Sequence, residues 1–164
     1  MKRFFDIVIG LLLFILLFIP ILFLAITIKV TSKGSVLYWS ERVGKENVNF
    51  MMPKFRTMRV NTPQLATHLM YDPDKYLSPI GGFLRRSSLD EIPQLWSILK
   101  GDMSFVGPRP ALFNQNDLVS LRTEKGVDQL VPGLTGWAQV NGRDEQPIWS
   151  WMWNIWRGCL YGLI

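Results

Sequence analysis

The ten residues Arg85-Arg86-Ser87-Ser88-Leu89-Asp90-Glu91-Ile92-Pro93-Gln94 set two arginines ahead of two adjacent carboxylates, at the start of an amphipathic stretch. A carboxylate at a helix start near arginines is expected to stay ionised, because positive potential favours the charged form. Such a group can attack a phosphorus atom and form an acyl-phosphate. The arginines Arg85 and Arg86 would bind the phosphate oxygens. Asp90 and Glu91 together could share a magnesium ion with a substrate diphosphate, which reduces repulsion between an anionic nucleophile and an anionic substrate. A purely structural account of the same residues also stands. Ser88 and Glu91 have capping-box spacing, or Asp90 is itself the N-cap, with Pro93 tolerated in the first turn.

Two further basic segments join this cluster as candidates. Lys54-Phe55-Arg56-Thr57-Met58 alternates charge with apolar side chains, as an extended segment with one buried face does. Gly107-Pro108-Arg109-Pro110 holds one arginine between two prolines. Proline fixes φ, so Arg109 is presented with little entropy left to lose, and its guanidinium can bind phosphate through two parallel hydrogen bonds. Neither a P-loop nor a GxGxxG motif is present, which argues against the standard nucleotide-binding loops. His68 is the only histidine and reads as incidental; Cys159 is the only cysteine, so no intrachain disulfide exists.

These side chains need elements to hold them. From Ile7 to Ile28 the chain has no charged residue, with Pro20 inside the run, Lys2 and Arg3 before it, and Lys29 and Lys33 after it. A bilayer helix needs roughly 20 apolar residues. Three readings compete: a single-pass helix, a cleaved signal peptide, and a re-entrant helix that bends at Pro20 and leaves on the face it entered. The run is too long for a typical signal peptide and no clear cleavage site follows it. Two basic ends favour two ends on one face, since positive residues prefer the cytoplasmic side. Beyond the anchor, Val36–Ser40 and Val48–Phe55 read as short strands around a Gly44 turn. Residues 61–76 read as a short helix and a loop, and Ser78–Gly82 as a turn. A helix is expected around Glu91–Leu99, with Ile92, Leu95, Trp96 and Leu99 on one face and Gly101 as its stop. Phe105–Pro110 reads as a rigid loop, residues 111–125 as a polar helix, and Pro132–Gly136 as a tight turn leading into Trp137–Arg143.

The chain has 164 residues and a net charge of +5. A basic, membrane-tied protein suits anionic headgroups or phosphate-bearing substrates. Nucleic acid is disfavoured as a partner, since no stripe of clustered Lys and Arg interleaved with aromatics appears.

The sequence resembles the small monotopic phosphoglycosyl transferases of the bacterial sugar-transferase family. The resemblance rests on Lys2–Asp6 (KRFFD), the Pro20-broken anchor, KFRTM at 54–58, GFLRRSSLDEIPQ at 82–94, GDMSFVGPRP at 101–110 and PGLTGWAQVNGR at 132–143, in the family's order over about residues 2–145. It implies an α/β, mostly helical fold with little regular sheet: a re-entrant membrane helix over residues 1–30, a cytoplasmic-face catalytic domain over 31–145 with amphipathic interfacial helices, and a tail over 146–164. It implies transfer of a sugar 1-phosphate from a UDP-sugar to undecaprenyl phosphate, with magnesium, at the bacterial inner membrane, starting an exopolysaccharide, capsule, O-antigen or glycoprotein glycan. Asp90 would be the nucleophile and Glu91 its acidic partner in metal binding or proton transfer. Arg85, Arg86 and Arg109 would bind phosphate, with Lys54, Arg56 and Arg143 as further candidates. The Trp-rich tail QPIWSWMWNIWRGCLYGLI departs from the family's charged, amphipathic continuation, which keeps two alternatives in view: a catalytically impaired polyprenyl-phosphate-binding relative and a membrane-anchored phosphohydrolase.

Overall fold

The computed structural model describes residues 1–60, 62, 73–136 and 140. His68, Arg143, Cys159, the Trp-rich tail and most of the loop expected over 61–76 lie outside the described residues. Two compact units make up the chain: one of Met1–Glu41 with Met51–Leu99, and one of Arg42–Phe50 with the chain from Lys100 onward. The fold is helix-rich with small sheets, as the sequence implies.

In the first unit, α1 (Lys2–Leu16) and α2 (Phe18–Thr31) meet at a 60° bend. The bend falls at Leu17, three residues ahead of Pro20. Proline disrupts the helix at the carbonyl four residues before it, here Leu16, because it has no N–H to donate and its ring crowds that carbonyl. Pro20 itself then sits in the first turn of α2, where a missing donor costs little. Among the described residues no single helix is long and apolar enough to cross a membrane, although the bent pair together has the length and composition. Most of its apolar side chains are exposed, among them Phe5, Leu12, Ile15, Ile19, Phe23 and Val30. One face of α2 is different: Leu24 and Ile28 are buried with Phe55 and Leu84, forming the unit's core. Each such buried side chain contributes about 1.5–3 kcal/mol. At the other end of the pair, the Arg3 guanidinium donates to the carbonyls of Ile98 and Leu99, closing off acceptors that a helix C-terminus leaves unpaired.

Strands β1 (Leu37–Val43) and β2 (Asn49–Phe55) flank the expected Gly44 turn, where the Gly44 amide donates to the Val48 carbonyl at 2.9 Å. Helix α3 (Gly81–Ser87), which the sequence reading treats as the end of a turn, ends at Ser88, a non-glycine residue in the left-handed region at φ 57°. A 3-10 segment, Leu89–Gln94, carries the acidic pair and runs into α4 (Leu95–Lys100). The expected helix therefore opens as a 3-10 turn, which suits a segment containing Pro93. Its buried face also differs: Leu95, Ser97 and Ile98 are buried while Trp96 is 56% exposed. Gly101 ends the helix at φ 109°, as its position implies.

In the second unit, β3 (Ser104–Val106) pairs in parallel with β5 (Gly133–Thr135), with Ser104 opposite Gly133 and Val106 opposite Thr135. The expected PGLTG turn is thus a strand, and the expected loop at Phe105 begins inside one. Short-range turn chemistry hides this pairing because its partner is distant in sequence. Strand β4 (Ala111–Leu112) pairs antiparallel with the end of β1 at Arg42 and Val43, so the polar helix α5 spans only Asn116–Glu124. The three-stranded sheet has the order β2-β1-β4. Glycine is required where β3 meets β5: a Cβ on Gly133 would lie 2.1 Å from the Gly107 amide nitrogen. Backbone cannot yield as a flexible side chain does. Gly133→Ala is therefore expected to destabilise the chain by about 2–3 kcal/mol, the upper range for overpacking, read by denaturant unfolding; unchanged stability would contradict this packing.

Candidate active site

The first unit brings most of the chemistry-bearing residues onto three adjoining elements. Strand β2 carries Lys54, with Arg56 just past its end; α3 carries Arg85 and Arg86; the 3-10 segment carries Asp90 and Glu91. Met52, Pro53 and Phe55 of β2 are buried, and Lys54 between them is mostly covered. The Lys54 Nζ meets Glu91 Oε1 at 3.0 Å, with both side chains mostly covered, 15% and 13% exposed. A charge-assisted hydrogen bond this sheltered from solvent is stronger than a surface pair. Arg85 Nε donates to Thr57 Oγ1 at 3.1 Å, and Thr57 is itself buried. This contact fixes the Arg85 guanidinium against the segment after β2. Thr57 was not singled out by sequence, although it lies inside the KFRTM segment; its burial is the property that matters. Arg86 is exposed on α3. Arg56 donates to Ser35 Oγ at 2.7 Å near the exit of α2, while its buried Nε makes no hydrogen bond among the described residues.

The acidic pair is not held as a helix cap. Among the described residues, neither Ser88 nor any other side chain caps the 3-10 segment, and Asp90 lies inside it. The Glu91 amide instead donates to the Ser88 carbonyl at 3.1 Å. Burial pushes the Asp90 carboxyl above its ordinary value of 3.8, because desolvation disfavours the charged form. Lys54 and Arg85 oppose this and Glu91 reinforces it. The expectation that positive neighbours dominate is therefore corrected: they act as expected, but burial outweighs them.

Among the described residues, no three His, Cys, Asp or Glu side chains converge to form a metal cage. Asp90 and Glu91 supply two hard oxygen donors, which matches the way magnesium binds: through one or two carboxylates, with water and substrate phosphates completing the shell. Arg109 belongs to the second unit, in the loop between β3 and β4. Arg143 lies outside the described residues.

A bent apolar helix pair joined to a small helix-rich unit with a sheltered acid–base cluster is the architecture the sequence resemblance implies. The sequence matches the bacterial sugar transferase family over residues 1–155, and the chain belongs to that family. Similar proteins include the UDP-glucose:undecaprenyl-phosphate glucose-1-phosphate transferase of Escherichia coli, 35% identical over 87% of this chain and 31% of that protein. The enzyme of the same name in Xanthomonas campestris is 42% identical over 76% of this chain and 26% of that protein. An uncharacterised sugar transferase of Bacillus subtilis is 37% identical over 88% of this chain and 70% of its own length. The chain spans about a third or less of the length of the first two relatives.

The raised Asp90 value has a stability consequence. The folded state binds a proton more tightly than the unfolded state, so stability falls as pH rises from 3.8 to the folded value, and the cost persists above it. Asp90→Asn removes that cost. The variant is expected to melt above the native chain at neutral pH, with the gap closing as pH falls towards 3.8. A variant less stable than the native chain at neutral pH would contradict the dominance of burial.

Proposed function

We propose that this chain transfers a sugar 1-phosphate from a UDP-sugar to undecaprenyl phosphate, giving undecaprenyl-diphospho-sugar and UMP, and so starts a bacterial glycoconjugate. The observation that carries the proposal is the sheltered cluster of Asp90, Glu91, Lys54 and Arg85 in a chain of the bacterial sugar transferase family. In the first half-reaction an Asp90 carboxylate oxygen attacks the sugar-bearing phosphorus. The bond from that phosphorus to the bridging oxygen breaks, and UMP leaves with the electron pair. In the second, an undecaprenyl phosphate oxygen attacks the same phosphorus and the Asp90 carboxylate leaves, forming the diphosphate of the product. Glu91 takes the proton from the lipid phosphate as it attacks. Lys54 holds Glu91 in place, and Arg85, Arg86 and Arg109 bind phosphate oxygens. Lys54, Arg56 and Arg143 are also assigned to substrate binding, Arg56 through its hold on the segment leaving α2. Magnesium held by Asp90 and Glu91 would neutralise charge on the donor diphosphate.

The same reading puts the bent pair α1–α2 into the cytoplasmic face of the inner membrane as a re-entrant element. Support comes from its exposed apolar surface, its 60° bend and the basic residues at both ends. Glucose, galactose and N-acetylgalactosamine all occur in the names of relatives, so the donor panel contains all three.

The test is UMP release by purified protein in detergent with magnesium, a panel of UDP-sugars and undecaprenyl phosphate. Release should depend on the lipid acceptor and fall by roughly 10⁴-fold or more in Asp90→Asn, the order of loss on deleting a catalytic nucleophile. Near-native release by the variant would overturn the assignment of Asp90. Release of free sugar phosphate without acceptor would favour a phosphohydrolase.

A further inference from the structure

Three successive carbonyls of the Gly107-Pro108-Arg109-Pro110 segment are each held by a different element of the second unit. The Gly133 amide of β5 donates to Pro108 O at 2.9 Å. Arg122 of α5 donates from Nη1 to Arg109 O at 2.7 Å. Arg42 at the end of β1 donates to Pro110 O at 3.4 Å, a much weaker geometry. The two prolines fix φ on either side of Arg109 and bring no N–H donors of their own. The orientation of the Arg109 Cα–Cβ bond therefore depends on these outside donors, and Arg122 is the one bonded to Arg109 itself.

Arg122 is placed unusually for a residue of this helix. No residue of α5 is fully buried, and its outer positions Ser120, Thr123 and Glu124 are exposed. The Arg122 guanidinium nevertheless turns inward. Burial lowers its pKa below the ordinary arginine value, to about 10, and its Nε is buried with no hydrogen-bond partner among the described residues. Desolvating a guanidinium is costly unless its hydrogen bonds compensate. A surface-facing side chain would have avoided that cost. The hydrogen bond to the Arg109 carbonyl supplies that compensation.

We propose that Arg122 is a positioning residue for donor binding: its inward guanidinium holds the Arg109 carbonyl and so sets the direction in which Arg109 reaches for phosphate. The proposal rests on the reading of Arg109 as a phosphate-binding residue given above. Arg122 itself contacts no substrate in this account. Its neighbour Thr123, which accepts a hydrogen bond from Asn47 at 2.9 Å, ties the same helix to the β1–β2 turn and serves as the comparison for a structural contact.

The test is a double-mutant cycle on the full chain in detergent, with kcat and KM measured for the UDP-sugar it uses. The variants are Arg122→Met, Arg109→Ala, the pair together, and Thr123→Ala, with melting temperatures measured alongside. Arg122→Met should lower kcat/KM by about tenfold, the scale for losing one hydrogen bond from a charged donor. Its division between kcat and KM should follow that of Arg109→Ala. In the Arg109→Ala background the same substitution should cost less than about twofold, because coupled residues are not additive. Thr123→Ala should leave both constants within about twofold of the native values. An equal loss in both backgrounds, with Arg109→Ala itself impaired, would overturn the positioning role while leaving the reading of Arg109 intact. Native kinetics in Arg109→Ala would overturn that reading and the proposal with it. Should Arg122→Met fail to fold, Arg122→Lys carries the same cycle, since it keeps the charge and loses the planar fork.

Discussion

One cation serving two acids is the constraint on which the candidate site depends. Lys54 rises from β2 to meet Glu91 at 3.0 Å, and it is also the largest opposing influence on the burial of Asp90. Committed to Glu91 by contact and to Asp90 only by proximity, it leaves Asp90 with less compensation than its burial demands. The carboxyl consequently keeps its proton to a higher pH than an exposed aspartate. A carboxylate that holds protons more tightly is also the better electron-pair donor towards phosphorus. On the proposed mechanism, partial compensation favours the nucleophilic role, and full neutralisation by a contact ion pair would dull it. Glu91 is held in place by its contact with Lys54.

The scaffold around this cluster follows from where its apolar surface goes. Pro20 interrupts a run of apolar residues, and the bend at Leu17 lets α2 turn one face onto Phe55 and Leu84 while the rest stays exposed. The segment that presents apolar surface to the outside therefore also builds the core that orients β2, and hence Lys54. At the other end of the pair, Arg3 holds the last carbonyls of α4, directly after the segment that carries the acidic pair. A Cβ on Gly10 would approach Leu99 Cδ2 to 2.9 Å, so α1 also packs closely against α4. The helix pair is in this way packed directly against the elements that hold Asp90 and Glu91.

Much of this was legible in the sequence, and the parts that were not have identifiable causes. The acidic pair after two arginines, the lysine on an alternating strand, the Gly44 turn and the Gly101 stop all depend on local patterns, and all appear where those patterns put them. Pro132, Gly133 and Gly136 carry turn chemistry and hide strand β5, whose pairing with β3 joins segments far apart in sequence. Spacing that assumes one regular helix places Trp96 on the buried face. The 3-10 start over Leu89–Gln94 rotates that face, burying Ser97 and exposing Trp96. Neighbouring charges alone predict an ionised Asp90, whereas desolvation depends on packing that sequence does not display. Arg122 carried no signal, being one arginine in a polar helix until the carbonyl it meets is known.

The central claim is that Asp90 becomes covalently bonded to phosphorus, and intact-protein and peptide mass spectrometry reads that bond directly. The protein would be incubated with magnesium and its UDP-sugar in the absence of undecaprenyl phosphate, then quenched. A sugar-phosphate adduct on the peptide containing Asp90, discharged when undecaprenyl phosphate is added, is the predicted result. Acceptor-dependent turnover with no adduct, or an adduct on a different residue, would contradict the account.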